Sequence, residues 1–221
     1  MNTKAFLSGI KELPWYEGQI QYVHEIPERQ ARYGVLDKPL HPRLAAILKS
    51  QGVDYLYEHQ TDAINSVLRG DDVIVSTGAA SGKSLCYHIP VLETLLEDAT
   101  TRALYLFPTK ALAQDQFNSL SKLIPPDTKI RHGIFDGDTS SEDRADVRRR
   151  AKLLITNPDM LHLGILPNHR NWYRMIRGLK YVVLDEAHVY RGVFGSHVAN
   201  ILRRLRRLCR LFGSDPQFVL C

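Results

Sequence analysis

Short runs of uninterrupted apolar residues, each followed by a helical pattern, recur through most of this chain and constrain its fold more than any other feature. Val73-Ile74-Val75, Leu104-Tyr105-Leu106-Phe107, Leu153-Leu154-Ile155 and Tyr181-Val182-Val183-Leu184 lack the polar alternation of a strand with one wet face, and 130–135 and 218–220 read the same way. A strand that is apolar on both sides is buried on both sides, which is the situation of a parallel sheet covered by crossover helices. Helical spacing occupies the intervals at 58–68, 83–97, 110–123, 141–151, 158–165 and 196–212. The expected fold class is therefore α/β, a mostly parallel sheet with helices on both faces. Ligands of such sheets bind beyond the carboxyl ends of the strands, so the turns that follow strands are where chemistry is expected.

Before residue 53 the text is different. Pro14, Pro27, Pro39 and Pro42 interrupt it, and 1–52 reads as an irregular N-terminal arm with one short helix near 42–51, where Leu44, Ile47 and Leu48 share a face. Residues 53–221 read as the globular lobe. Hydrophobic residues make up 44% and charged residues 24% of the 221, an ordinary globular composition. No apolar run approaches the roughly 18–20 residues of a membrane span, and the first residues, Met1 to Leu7, lack a hydrophobic signal core. A cytoplasmic protein without a membrane partner is expected. Cys86, Cys209 and Cys221 form no Cys-x-x-Cys pair, so neither a disulfide framework nor a zinc site is suggested, and Cys86 and Cys209 read as buried thiols. The net charge of +5 favours polyanions but does not by itself select a nucleic acid.

Two post-strand turns carry nucleotide chemistry. After Val73-Ile74-Val75 comes Ser76-Thr77-Gly78-Ala79-Ala80-Ser81-Gly82-Lys83-Ser84, a small-residue loop that opens a helix. Small residues let backbone N–H groups curl around a phosphate, and a helix N-terminus adds positive potential. Lys83 would reach the terminal phosphates of a nucleotide, and the Ser84 hydroxyl would ligate Mg²⁺. The other turn follows Tyr181-Val182-Val183-Leu184 and reads Asp185-Glu186-Ala187-His188. Asp185 would hold the hydrated Mg²⁺, with Glu186 beside it as general base for the attacking water. Upstream, the carboxamide of Gln60 can pair with both a donor and an acceptor on adenine, and Tyr55 or Tyr57 can stack on the base. ATP and Mg²⁺ are the cofactors these residues imply.

Asp-Glu-Ala-His is also the signature of the superfamily 2 DEAH-box helicases, which this chain resembles. The glycine that a phosphate loop usually carries is Thr77 here, a departure that superfamily 2 commonly tolerates. The resemblance implies a RecA-like P-loop NTPase lobe. It gives His188 a part in coupling the nucleotide site to the nucleic-acid side, and it places Gln60 in the adenine-recognition element. Three further post-strand turns resemble the backbone-contact motifs of that superfamily: Pro108-Thr109-Lys110, Gly137-Asp138, and Thr156-Asn157-Pro158. Hydroxyls, backbone N–H groups and helix N-termini at such turns suit phosphates rather than bases. Each alone reads equally as a helix cap or a tight turn. The basic helix with Arg203, Arg204, Arg206, Arg207 and Arg210 reads as a solvated face opposite a core stripe.

Within the superfamily, the stretch from Ala80 to Tyr87, that from Ala103 to Gln116, Tyr190-Arg191-Gly192-Val193-Phe194-Gly195-Ser196-His197 and Arg203-Arg204-Leu205 are similar to the mitomycin repair factor A family. That resemblance implies a 3′-to-5′ helicase and translocase on single-stranded or forked DNA, acting in repair; a monomer associated with the nucleoid is expected. The resemblance also implies a second RecA-like lobe that would supply arginine fingers. A first lobe by itself is expected to bind ATP weakly and to hydrolyse little. An RNA helicase lobe, a nucleic-acid-binding module with a vestigial nucleotide site, and another P-loop enzyme such as a transporter ATPase or a kinase are the rival readings.

Overall fold

The computed structural model describes residues 2–25, 30–78 and 81–221. The chain divides into two compact units, 1–31 and 32–221. In the first, helix α1 (Thr3–Lys11) is N-capped by the Asn2 side chain, which accepts from the Ala5 N–H at 3.2 Å, and it buries none of its residues. The sequence reading treats this stretch as irregular, because a short helix without a buried face has no strong apolar period to announce it.

The second unit begins at Arg32, ahead of the boundary expected at 53. Helix α2 (Pro42–Ser50) belongs to its core: Leu44 is fully buried and Leu48 nearly so, each such side chain contributing about 1.5–3 kcal/mol. Helix α3 (Glu58–Arg69) follows and stops at Gly70, whose φ of 104° is the left-handed cap that glycine supplies without strain. Strand β1 (Val73–Ile74) leads to helix α4 (Lys83–Glu97). The remaining elements are β2 (Arg102–Leu106), α5 (Lys110–Leu123), β3 (His132–Ile134), α6 (Ser141–Arg150), β4 (Leu153–Thr156), the single turn α7 (Pro158–Met160), α8 (Tyr173–Arg177), β5 (Leu179–Leu184), α9 (Gly192–Leu211) and β6 (Gln217–Leu220).

The six strands form one sheet in the order β1-β6-β5-β2-β4-β3, and every pairing is parallel. Side chains of a strand alternate between faces, and in the central strands β2, β4 and β5 both faces are buried, whereas Ile74 of the edge strand β1 is exposed. Ala103, Tyr105, Ile155, Tyr181, Val183 and Val219 join the core under α2, α3, α4 and α5. Leu104, Leu106, Leu154, Val182 and Leu184 join the core built with α9 and the segment 161–176. This is the α/β, RecA-like arrangement expected.

Three details depart from the sequence reading. The helix expected over 158–165 is one α-turn continuing as a π-helical turn (Leu161–Ile165). The helix expected to start at 196 starts at Gly192. A 3₁₀ turn (His169–Trp172) and α8 were not anticipated, although Trp172 and Ile176 are buried. In α9, Val198, Ile201, Leu205 and Cys209 are buried while the five arginines are exposed, and Cys86 is buried as well. No helix of the described residues is long and apolar enough to cross a membrane.

Candidate nucleotide and nucleic-acid site

Sheet register brings the two nucleotide turns to one height. Ile74 of β1 and Leu184 of β5 both pair with Leu220 of the strand between them. The loop after β1 and the Asp185-Glu186 pair after β5 therefore leave the same edge, one strand apart. The packing of α4 closes the gap. Tyr87, one turn beyond Lys83, is fully buried and donates its hydroxyl to Asp185 Oδ2 at 3.0 Å.

Between β1 and α4, Gly78, Ser81, Gly82, Lys83 and Ser84 lie where the sequence placed them, while Ala79 and Ala80 fall outside the described residues. Gly82 caps α4 with φ of 71°. Thr77 and Ser81 hydroxyls bond each other at 2.6 Å, and Lys83 Nζ donates to the Thr77 carbonyl at 3.4 Å. Gln60 braces the end of the loop. Its Nε2 donates to the Gly82 carbonyl at 3.0 Å, and its Oε1 accepts from the Tyr57 N–H at 2.9 Å, while His59 Nε2 lies 3.0 Å from the Ser81 carbonyl. Gln60 is 2% exposed and is bonded to the protein's own backbone through both Nε2 and Oε1.

Beside Gln60 and Gly82 lies a cleft of about 440 Å³ lined by Tyr33, Tyr55, Tyr57 and Leu85. Tyr33 and Tyr57 stack with ring centroids 5.5 Å apart, and Tyr55 tilts against Tyr33 at 5.4 Å. Residues 32–34 are held there by backbone bonds to 56–58. Sequence reasoning named Tyr55 and Tyr57 but missed Tyr33, which comes from the stretch assigned to the arm. Only the chain pairing reveals it.

At the other turn, Asp185 Oδ1 accepts the Glu186 N–H at 2.9 Å. Burial raises the Asp185 carboxyl above the usual carboxylate range, and Lys83 is among the charges that pull it back. The Tyr87 hydroxyl is pushed well above the ordinary phenol value, first by burial and then by the Asp185 charge, so it stays protonated and donates. Glu186 has φ of 51°, the one positive φ among described non-glycine residues. A left-handed glutamate is strained by roughly 1–3 kcal/mol, and such strain collects at functional turns. His188 is mostly exposed, with Nδ1 3.2 Å from Glu186 Oε2. Tyr190, noted in the sequence only as part of a resemblance, has a buried hydroxyl without a partner among the described residues, and burial followed by the Asp185 charge raises its pKa.

The donors suit a hard cation. Ser84 offers a hydroxyl and Asp185 a carboxylate with Glu186 next to it, all oxygen ligands of the kind Mg²⁺ takes. Among the described residues no group of three or more His, Cys, Asp or Glu can hold a metal by itself. A cation at Asp185 would thus complete its shell with water and phosphate oxygens.

The three other turns line up along the same edge of the sheet, after β2, β3 and β4. Thr109 caps α5, its Oγ1 accepting the Leu112 N–H at 3.3 Å, and follows Pro108. Lys110 Nζ reaches across to Asp138 Oδ2 at 2.6 Å, an exposed pair. The loop with Gly137 and Asp138 is a rigid turn: Asp136 Oδ1 accepts the N–H groups of Asp138 and Thr139, and Arg144 of α6 donates to the carbonyls of Thr139 and Asp136 at 2.9 and 3.0 Å. Asn157 caps α7 through the Met160 N–H at 2.8 Å, and Pro158 is buried. Thr156 differs from expectation. It is 1% exposed and donates its hydroxyl to the Phe135 carbonyl at 2.5 Å, tying β4 to the end of β3 rather than facing outward.

The profile of the DEAD/DEAH box helicases matches residues 57–221. The chain is 47% identical over 220 residues to YprA of Bacillus subtilis, an ATP-dependent helicase, covering 99% of this chain and 29% of that protein. It is 48% identical to the ATP-dependent helicase hrq1 of Schizosaccharomyces pombe, covering 100% of this chain and 22% of that protein. The crystal structure of the DUF1998 helicase MrfA bound to DNA and AMPPNP superposes with a TM-score of 0.86 at 49% identity, covering 89% of this chain and 28% of that one. The chain therefore spans less than a third of the length of these relatives.

Proposed function

Because the chain belongs to the DEAD/DEAH box helicases, we propose that it is the ATP-binding first lobe of an ATP-dependent, 3′-to-5′ DNA helicase and single-stranded-DNA translocase acting in DNA repair. The observation that carries this reading is the convergence of the Lys83 turn and the Asp185-Glu186 turn, bridged by Tyr87, on one edge of the sheet. When bound, Mg²⁺ would neutralise phosphate charge there and orient the nucleotide. Lys83 and Ser84 hold the phosphate end, Asp185 the hydrated cation, and Glu186 takes the proton of the attacking water. The tyrosine cleft with Gln60 receives adenine. The row of Thr109, Lys110, Gly137, Asp138 and the Asn157 cap lies along the phosphates of a single strand, with Thr156 supporting that row from beneath. The second lobe of the whole protein closes over the nucleotide, so the lobe alone binds ATP weakly and turns it over little. The protein acts as a monomer on single-stranded or forked DNA at the nucleoid.

In the full-length protein, Glu186→Gln is expected to lower DNA-stimulated ATP turnover by about 10²–10⁴-fold while nucleotide affinity stays near the parent's. Unchanged turnover removes Glu186 as the base. Stimulation by single-stranded RNA but not DNA would replace the polymer assigned.

A further inference from the structure

The metal-site carboxylate is joined by side chains to the helix that carries the Thr109-Lys110 turn. Tyr87 Oη sits 3.0 Å from Asp185 Oδ2 and 3.1 Å from the Gln116 carboxamide of α5. The Gln116 carboxamide is also 3.2 Å from His88 Nε2, and His88 Nδ1 is 3.4 Å from Tyr105 Oη. Tyr87, His88 and Tyr105 are all fully buried. Tyr87 has one hydroxyl proton, and the ionised carboxylate is the stronger acceptor. Oε1 is the Gln116 atom placed against both groups, but Tyr87 has no second proton to give it, so the carboxamide is assigned the reverse orientation, with its NH₂ toward Tyr87 Oη and His88 Nε2. The chain then runs in one direction: Gln116 donates to Tyr87, and Tyr87 donates to Asp185.

Such a chain is costly to bury unless every member is paired, and its geometry is defined on both sides. Gln116 lies seven residues, two helical turns or roughly 10 Å, along α5 from the cap at Thr109. A displacement of α5 along its axis moves the Gln116 carboxamide, and with it the only side-chain donor to Asp185 among the described residues.

We propose that Tyr87 and Gln116 are positioning residues that set the Asp185 carboxylate according to the seat of α5, so that a strand held at the Thr109-Lys110 turn aligns the metal site. This deepens the helicase reading above and rests on it.

The test uses the full-length protein with Tyr87→Phe, Gln116→Ala and the double variant, with Lys83→Ala as control. Phenylalanine keeps the ring in its T-shaped contact with Tyr105, centroids 5.3 Å apart, so the fold is retained, whereas Gln116→Ala also unpairs the buried His88 and is read together with its Tm. Four quantities are read: basal turnover, turnover with saturating single-stranded DNA, the Mg²⁺ concentration at half-saturation, and single-stranded-DNA affinity by fluorescence anisotropy. Each single variant is expected to lose at least tenfold in the ratio of stimulated to basal turnover and to need several-fold more Mg²⁺, with DNA affinity unchanged. The double variant is expected to be no worse than Tyr87→Phe, because both changes cut one chain. Stimulation and Mg²⁺ dependence within twofold of the parent in both single variants would overturn the proposal, as would fully multiplicative losses in the double variant. If Lys83→Ala abolishes turnover while Tyr87→Phe behaves as the parent, only the relay fails. If Lys83→Ala retains turnover, the nucleotide-site reading fails with it.

Discussion

Replacing Gly82 by alanine tests the brace between the phosphate loop and α3. Gly82 sits at φ of 71°, where an L residue costs roughly 1–2 kcal/mol. A Cβ there would lie 2.5 Å from Gln60 Nε2, too close for any real contact. The Gln60 carboxamide must swing away and lose its bond to the Gly82 carbonyl, about 1 kcal/mol. Alanine restricts the unfolded chain, which offsets about 0.4–1 kcal/mol. The net loss is about 2 kcal/mol, or about 4–8 °C in Tm for a domain of this size. Thermal unfolding of the 221-residue chain by circular dichroism measures it. The same substitution in a Gln60→Ala background should cost about 1 kcal/mol less, because the clash has already been removed. An unchanged Tm, or strictly additive losses in the pair, would refute the reasoning about how α4 begins.

Two other outcomes follow from single groups. Burial lowers the His88 pKa to about 4 from 6.5, so the folded state holds it neutral while the unfolded chain takes up a proton below about 6.5. The stability this gives is full above that pH and is lost as pH falls toward 4, on the order of 3 kcal/mol in all. Urea unfolding from pH 7 to 4 should therefore show a shallower decline in His88→Gln than in the parent, and parallel curves would contradict the burial argument. In the full-length protein, Lys110→Ala should weaken single-stranded-DNA binding and lower the salt slope by about 0.7, the value for one phosphate contact on a single strand. An unaltered slope would mean that Lys110 serves only its pair with Asp138.

The strands were legible because a doubly covered strand has no polar face to disguise it, and each apolar run reappears as a strand of the parallel sheet. The two nucleotide turns were legible because their residue types are unusual directly after such strands. What joins them was not. Tyr87 and Asp185 are separated by 98 positions, and no local pattern states that a buried tyrosine on one helix faces a strand end elsewhere. Tyr33 was hidden for the same reason, since its place in the cleft depends on the pairing of 32–34 with 56–58. The direction of the Thr156 side chain was not legible either. A threonine at the tip of a strand was assigned to the nucleic-acid side by its neighbours in sequence, but the direction of its side chain is set by the adjacent strand, whose Phe135 carbonyl needs a donor. Irregular segments such as the π-helical turn and α8 carry buried residues without a clean period, and periodicity passes over them.

The central claim is that the Lys83-Ser84 turn and the Asp185-Glu186 turn share one cation-bound triphosphate. A crystal of the full-length protein grown with Mn²⁺ and a non-hydrolysable ATP analogue measures this directly through the anomalous signal of the metal. A single strong peak is expected between the Ser84 hydroxyl and the Asp185 carboxylate, with the triphosphate along the N-terminus of α4 and Lys83 on its terminal phosphates. A peak away from both residues, or a nucleotide seated elsewhere on the lobe, would contradict that claim.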